Sequence, residues 1–416
     1  MIGELGVLRW IVHVLGLIGC LVYSVLIHAE SARPLKIFLD ADRTNQAVSA
    51  LAIERGLKTA FATVNNTVQG YPVEFVTQDH RGNVFRSHLN LKDFLSDPQA
   101  LLVMAGAHSP PLIRHQRFIN DNHILTLVPW AAGAAIIRSE HDLNWIFRLS
   151  LDDSVVGVKL MQFAFQQKQC SQPALLLERT SWGSSNLTVM SKTFEKLSSK
   201  PLRIYWFDLN IKLAAATEIV DTMVQQGADC VVFVGSSIEG SYFVTAMSLQ
   251  EQKLPIISHW GVLAGDLHQR VPYELRRQVD LSFIQTCFAF SSVKSSPFSD
   301  SVLRQATKFF PADENLKQMP AAVGFIHAFD LGLILIQALN QVELTDNMAT
   351  NRFNLHHALE NLEQPVKGLL KTYRKPFSKP KTTFDNAHEA LDVDDLCMAR
   401  FDSKGQAVLI DHEIIQ

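Results

Sequence analysis

From Leu35 onward the chain repeats one pattern: an apolar run of strand length, a loop rich in turn residues, then an amphipathic helix. Strand-like runs at 35–39, 73–77, 101–104 and 124–128 alternate with helical segments. The first of these segments sets Ile53, Leu57, Phe61 and Val64 on one face. Continuous apolar strands separated by helices predict βαβ units and a parallel sheet, because helices cover both faces of such a sheet.

An extended segment at 145–150 meets Asp152-Asp153-Ser154, and the alternation then restarts. A helix over 155–167 is followed by strands at 174–178, 203–207, 230–234 and 255–258, so a second α/β unit spans about 151–278. Another extended run, 281–286, leads back to helices, the strongest at 321–339. The tail reads as short strands at 367–372 and 398–410 around a Pro-rich loop, 376–380. Two α/β lobes linked by several extended crossings make a hinge with a cleft between them.

In an open parallel sheet, ligands bind outside the carboxyl ends of the strands. Four loops fall at such ends. The stretch 105–133 supplies two, His108-Ser109 and Trp130-Ala131-Ala132-Gly133, with Pro110 and Pro111 suited to open the intervening helix. The second unit supplies Trp182-Gly183 and Ser258-His259-Trp260-Gly261. Three of the six tryptophans, Trp130, Trp182 and Trp260, thus fall where a cleft would be. Indoles stack on flat groups and attract cations. Trp145 and Trp206 sit inside strand patterns and read as core. Ser109 reads as a cleft hydroxyl or simply a helix cap. His108 and His259 read as ligand partners or as satisfied loop histidines. Asp79-His80-Arg81 reads as a polar turn, and His356-His357 as part of a solvated helix face.

At 416 residues the chain is too long for one ordinary core. With 47% hydrophobic and 19% charged residues it is globular, and a net charge of −3 gives no basic field for nucleic acid. Metal-helix, phosphate-loop, nucleophile-elbow and dinucleotide motifs are absent, so the sequence points away from an enzyme and from a bound cofactor. Beyond the first segment lie Cys170, Cys230, Cys287 and Cys397, without ligand spacing. Neither a metal nor a disulfide is expected, and Cys230 reads as a buried thiol. Residues 1–29, with Arg9 before an apolar run at 10–27, read as a signal peptide cut after Ala29. A lipoprotein box at Cys20 or an uncut membrane anchor are the alternatives, and all three put the body outside the cytoplasm.

The order GAHSPP, HILTLVPWAAG, NWIFRLSLDDS, LLLERTSWGSSN, PIISHWG, with the tail VKGLLKTYRKPF and HEALDVDDLCMARFD, resembles the type I periplasmic solute-binding proteins. The nearest general group is the leucine/isoleucine/valine-binding receptors of ABC importers. The resemblance implies two Rossmann-like lobes with parallel sheets, joined by three crossover strands. The expected lobes are 34–150 with 287–363 and 151–286 with 364–416. It also implies a small-molecule solute held by Ser109, His108, Trp130, Ala131, Ala132, Trp182, His259 and Trp260. The implied partner is an ABC importer permease or, alternatively, a sensor protein, and the expected state is a monomer. Two departures from the amino-acid-binding pattern stand out: Ala132 replaces a threonine, and His259 or Trp260 replaces the carboxylate that pairs with an ammonium. The solute is therefore expected to be planar aromatic, amide-like or quaternary-ammonium rather than an ordinary α-amino acid, clamped by indoles from both lobes.

Overall fold

The computed structural model describes residues 33–138, 143–291, 296–382 and 386–410. The expected export segment, 1–29, lies outside the described residues. Six strands form the first sheet: β1 (Leu35–Ala41), β2 (Thr67–Val68), β3 (Tyr71–Asp79), β4 (Ala100–Ala105), β5 (Thr126–Val128) and β6 (Ile146–Arg148), in the order β2-β3-β1-β4-β5-β6. All neighbours run parallel except the β2–β3 pair. The unbroken apolar run of β4 is buried along its whole length, whereas β3, toward the edge, exposes part of one face.

The second sheet takes β7 (Pro173–Glu178), β8 (Arg203–Phe207), β9 (Cys230–Val234), β10 (Ile256–Ser258) and β11 (Leu281–Thr286) in parallel. A small hairpin, β12 (Val366–Lys367) and β13 (Thr372–Tyr373), precedes the last two strands, β14 (Leu396–Phe401) and β15 (Ala407–Leu409). These two add antiparallel to β11, giving the order β15-β14-β11-β10-β9-β7-β8. The mixed edge aside, this is the doubly wound pattern expected from the sequence.

The helix Ala322–Gln341 is long and apolar enough to cross a membrane, yet it is a core helix. It packs on the helix Ala47–Ala62 so closely that a Cβ at Gly56 would stand 2.2 Å from the Phe325 carbonyl oxygen. Its buried Asp330 accepts from the Leu369 and Leu370 amides at 2.6 and 3.0 Å and from the Tyr373 hydroxyl at 2.8 Å. Burial holds the Asp330 carboxyl up at about 6, against those three donors. The hairpin β12–β13 is thereby fastened to a helix of the first lobe, so the tail reaches the second sheet only at β14, well after 364.

Three extended crossings meet at one place: 148–152 after β6, 286–288 after β11, and 388–392. The third pairs with the first through Arg148 N to His388 O at 2.8 Å, Ala390 N to Arg148 O at 3.0 Å and Leu391 N to Leu149 O at 3.1 Å. The second pairs with the tail through Cys287 N to Asp395 O at 2.8 Å.

Two expectations are corrected. The cysteines form disulfides, Cys170–Cys230 and Cys287–Cys397. Their partners lie 60 and 110 residues apart in sequence, a proximity created by the second sheet and invisible to local spacing. His356 is buried rather than solvated. Its Nε2 donates to Asn144 O at 3.0 Å, and its ring lies 4.7 Å from that of Trp145.

Two outcomes are expected from denaturation curves. Replacing Cys287 and Cys397 together by Ser lowers stability by about 2–4 kcal/mol, since each bridge closes a long loop in the unfolded chain. Arg148→Ala costs about 3–5 kcal/mol, the range for breaking a buried ion pair, because this fully buried guanidinium pairs with Glu389.

Candidate functional site

The carboxyl ends of both sheets face one another, and a partly open cavity lies between them. Its first-lobe wall is Gln46, Ala107, His108, Ser109, Trp130 and Ala132. Its second-lobe wall is Glu178, Trp182, Ser236, Trp260, Gly261 and Ala264. A larger void lies beside the second crossing, among Leu263, Gln285, Phe288, Phe290 and Met319. None of the strand-end loops of the first sheet reaches it.

In the first lobe, Ser109 opens the helix Ser109–Asp121 without capping it. Its Oγ instead accepts from Gly133 N at 3.1 Å, which ties the two strand-end loops together and leaves the hydroxyl proton free to donate. His108 is half-buried, with both ring nitrogens shielded from solvent and neither bonded to protein, its ring 6.0 Å from that of His80. Burial, reinforced by the charge of His80, pushes the His108 imidazole down to about 4, so it is neutral at pH 7. Trp130 is buried, with its Nε1–H unpartnered. Its benzo edge sits over Gly324, where a Cβ would come within 2.9 Å of two ring carbons.

Ala131 is not on the wall. Its carbonyl turns back to accept from Arg148 Nη1 at 3.3 Å, while the next residue, Ala132, faces the cavity and accepts from Asp153 N at 2.9 Å. His259, just before the short helical turn Trp260–Leu263, is also off the wall, while Trp260 and Gly261 are on it. The fully buried His259 Nε2 stands 3.2 Å from Asp153 Oδ1, the oxygen that also accepts the Trp182 indole N–H at 3.1 Å. His259 supports both second-lobe indoles edge-on, with centroids 5.0 Å from Trp182 and 5.2 Å from Trp260. Asp153 is therefore the hub: its amide holds the first-lobe loop and its carboxylate holds Trp182.

His327, from the core helix, lies between Trp130 and Trp260, 6.5 and 6.2 Å from their rings. Burial pushes it down to about 3, so the ring is neutral. Its Nδ1 donates to Pro129 O at 3.0 Å, and its Nε2 lies 3.3 Å from Thr286 Oγ1. Across the mouth, Ala134 N donates to Ser185 Oγ at 3.2 Å, so the lobes also touch at the rim.

The residue the sequence did not single out is Glu178. It closes the apolar run of β7 and is only 2% exposed, yet it lines the cavity. Thr180 Oγ1 donates to it at 3.1 Å. Burial, then the nearby Glu239, push the Glu178 carboxyl up to about 7, with Thr180 opposing.

Two doubly wound lobes meeting at their strand ends over such a cavity define the bilobed class of type I periplasmic binding folds. A sequence model of the periplasmic binding protein family matches residues 38–248, just over half of the chain, and the chain belongs to that family. No curated protein sequence matches. Among solved structures, a possible leucine/isoleucine/valine-binding protein from Rhodopirellula baltica superposes with a TM-score of 0.75 at 14% identity, covering 94% of this chain and 100% of its own. An ABC transporter solute-binding protein from R. palustris in complex with benzoate gives 0.73 at 14%, covering 91% and 95%. A fatty acid ABC transporter substrate-binding protein from Thermomonospora curvata gives 0.69 at 15%, covering 91% of each chain.

The backbone under the second-lobe wall is tight. A Cβ at Gly183 would stand 1.9 Å from the Glu178 carbonyl oxygen. Gly183→Ala is expected to lower stability by about 1–3 kcal/mol and to shift tryptophan fluorescence as Trp182 is displaced.

Proposed function

We propose that the protein is an exported solute receptor that captures a small molecule between its lobes and presents the closed form to an ABC importer permease. Family membership supports a binding role outside the cytoplasm. The single observation that carries the cleft assignment is that three indoles, one from the first lobe and two from the second, line one cavity at the strand ends. We propose Ser109, His108, Trp130, Ala132, Trp182 and Trp260 as solute contacts, with His259 and Ala131 acting from behind the wall.

A solute touching both walls binds fully only when the lobes are closed, so its binding free energy is the force that shifts the population toward closure. The three crossings serve as the hinge. We propose that the lobes divide near 150 and 286, and that the third crossing falls at 388–392. The disulfides favour an oxidising compartment, which supports export. On the first-lobe wall Ser109 bonds Gly133 and His108 has no protein partner, so these two are not set as a nucleophile–base pair.

A thermal-shift screen of small solutes tests the reading, because a ligand of the folded state raises the melting temperature by mass action. Trp182→Ala and Trp260→Ala are each expected to abolish the shift that the best solute gives the wild type. Unchanged shifts in both variants would move the site away from this cleft.

A further inference from the structure

We infer that the cleft takes an organic cation, an amine or ammonium group seated on the Glu178 carboxylate among the indoles. The inference rests on the receptor reading above and specifies the charge of the solute.

Glu178 is a buried carboxylate whose one protein partner here is a hydroxyl, and no basic side chain among the described residues pairs with it. Arg179, next in sequence, turns outward to Asp208 at 2.9 Å. Neighbouring Glu239 is already provided for: Ser236 Oγ donates to one oxygen and Asn210 N, at 3.0 Å, to the other. Of the two carboxylates, the one on the cavity wall is the one left with a single hydroxyl donor, and a buried charge without a positive partner is costly. Neither Lys nor Arg is on the wall. An anion such as benzoate would therefore meet Glu178 with no positive group to offset it. A monocation supplies the missing charge, and indole rings add cation–π attraction to it.

The opposite wall is complementary. The Trp130 Nε1–H is buried and unpartnered, the Ser109 hydroxyl proton is free, and His108 offers a ring nitrogen of either sense. These suit a solute whose far end accepts hydrogen bonds. The charge comes not from the loop after β10 but from the end of β7, two strands away across β9.

Groups facing Glu178 and its surroundings are Glu239 on the helix Ser237–Ser248, Asp153 with His259 behind Trp182, and His108 on the other wall. His108 stays neutral from pH 5.5 to 8, given its fall to about 4. Glu178, near 7, changes charge within that window. A cation binds only the ionised form, so its affinity falls with pH, approaching about tenfold per unit below 7.

Four probes sharing one ring separate the charge from the receptor reading: benzylamine, benzyltrimethylammonium, benzamide and benzoate, titrated calorimetrically and by thermal shift into the purified protein. The two cations are expected to bind and raise the melting temperature, more at pH 8 than at pH 6. Glu178→Gln should weaken them at least tenfold and remove the pH slope, while Glu178→Asp restores part of both. Without solute, Glu178→Gln should melt at or above the wild type at pH 8, since a carboxyl raised by folding destabilises most above its folded pKa; this separates lost charge from lost fold. Binding of benzoate or benzamide without binding of either cation overturns the charge assignment and leaves the receptor standing, as does cation binding that Glu178→Gln leaves unchanged. No binding by any probe overturns the cation assignment, and solute-dependent shifts in the wider screen then decide the receptor reading separately.

Discussion

The buried guanidinium of Arg148 is the contact on which the hinge and both walls of the cleft depend. It has no exposure to solvent, and it reaches three separate pieces of chain. Nη1 donates to the carbonyls of Ala131 and Gly133, at 3.3 and 2.9 Å, and so shapes the first-lobe loop that carries Trp130. Nη2 pairs with Glu389 on the third crossing and lies 3.5 Å from Asp152, the cap of the first helix of the second lobe. Arg138 supplies Asp152 with a further positive partner. Burial holds the Glu389 carboxyl at about 7 even beside Arg148, a measure of how dry the junction is. Removing one charge here strands another, whereas the intact set fixes which backbone segments touch.

From that junction the cleft follows. Asp153, one residue beyond Asp152, grips Ala132 of the first lobe through its amide and Trp182 of the second through its carboxylate. Trp260 and Trp130 stand either side of neutral His327, which itself spans from Pro129 to Thr286. The indoles are thus held by the hinge elements themselves, so a solute that bears on them bears on the crossings. That coupling is what a closing receptor requires: binding energy must differ between the open and closed arrangements.

The sheets were legible because fully buried parallel strands leave continuous apolar runs, and 101–104 and 230–234 have nearly the limits of β4 and β9. The indoles at strand ends were legible for the same reason, since the ends of the runs mark the loops. What escaped needed information that local pattern does not hold. Glu178 closes an apolar run and reads as the strand's polar stop. Arg148 sits in an extended segment whose partner, Glu389, lies 241 residues away. The disulfides join residues that only the finished sheet brings near. His259 and Ala131 entered the candidate set with the loops that the family resemblance marked, but they lie off the wall that Trp260, Gly261 and Ala132 line.

A crystal structure grown with whichever solute most raises the melting temperature tests the central claim most directly. The account requires that molecule between Trp130 and the Trp182–Trp260 pair, its positive group within hydrogen-bond or ion-pair reach of Glu178. Density instead in the void beside Phe288 and Met319, or a solute held by one lobe with the other swung away, would contradict it.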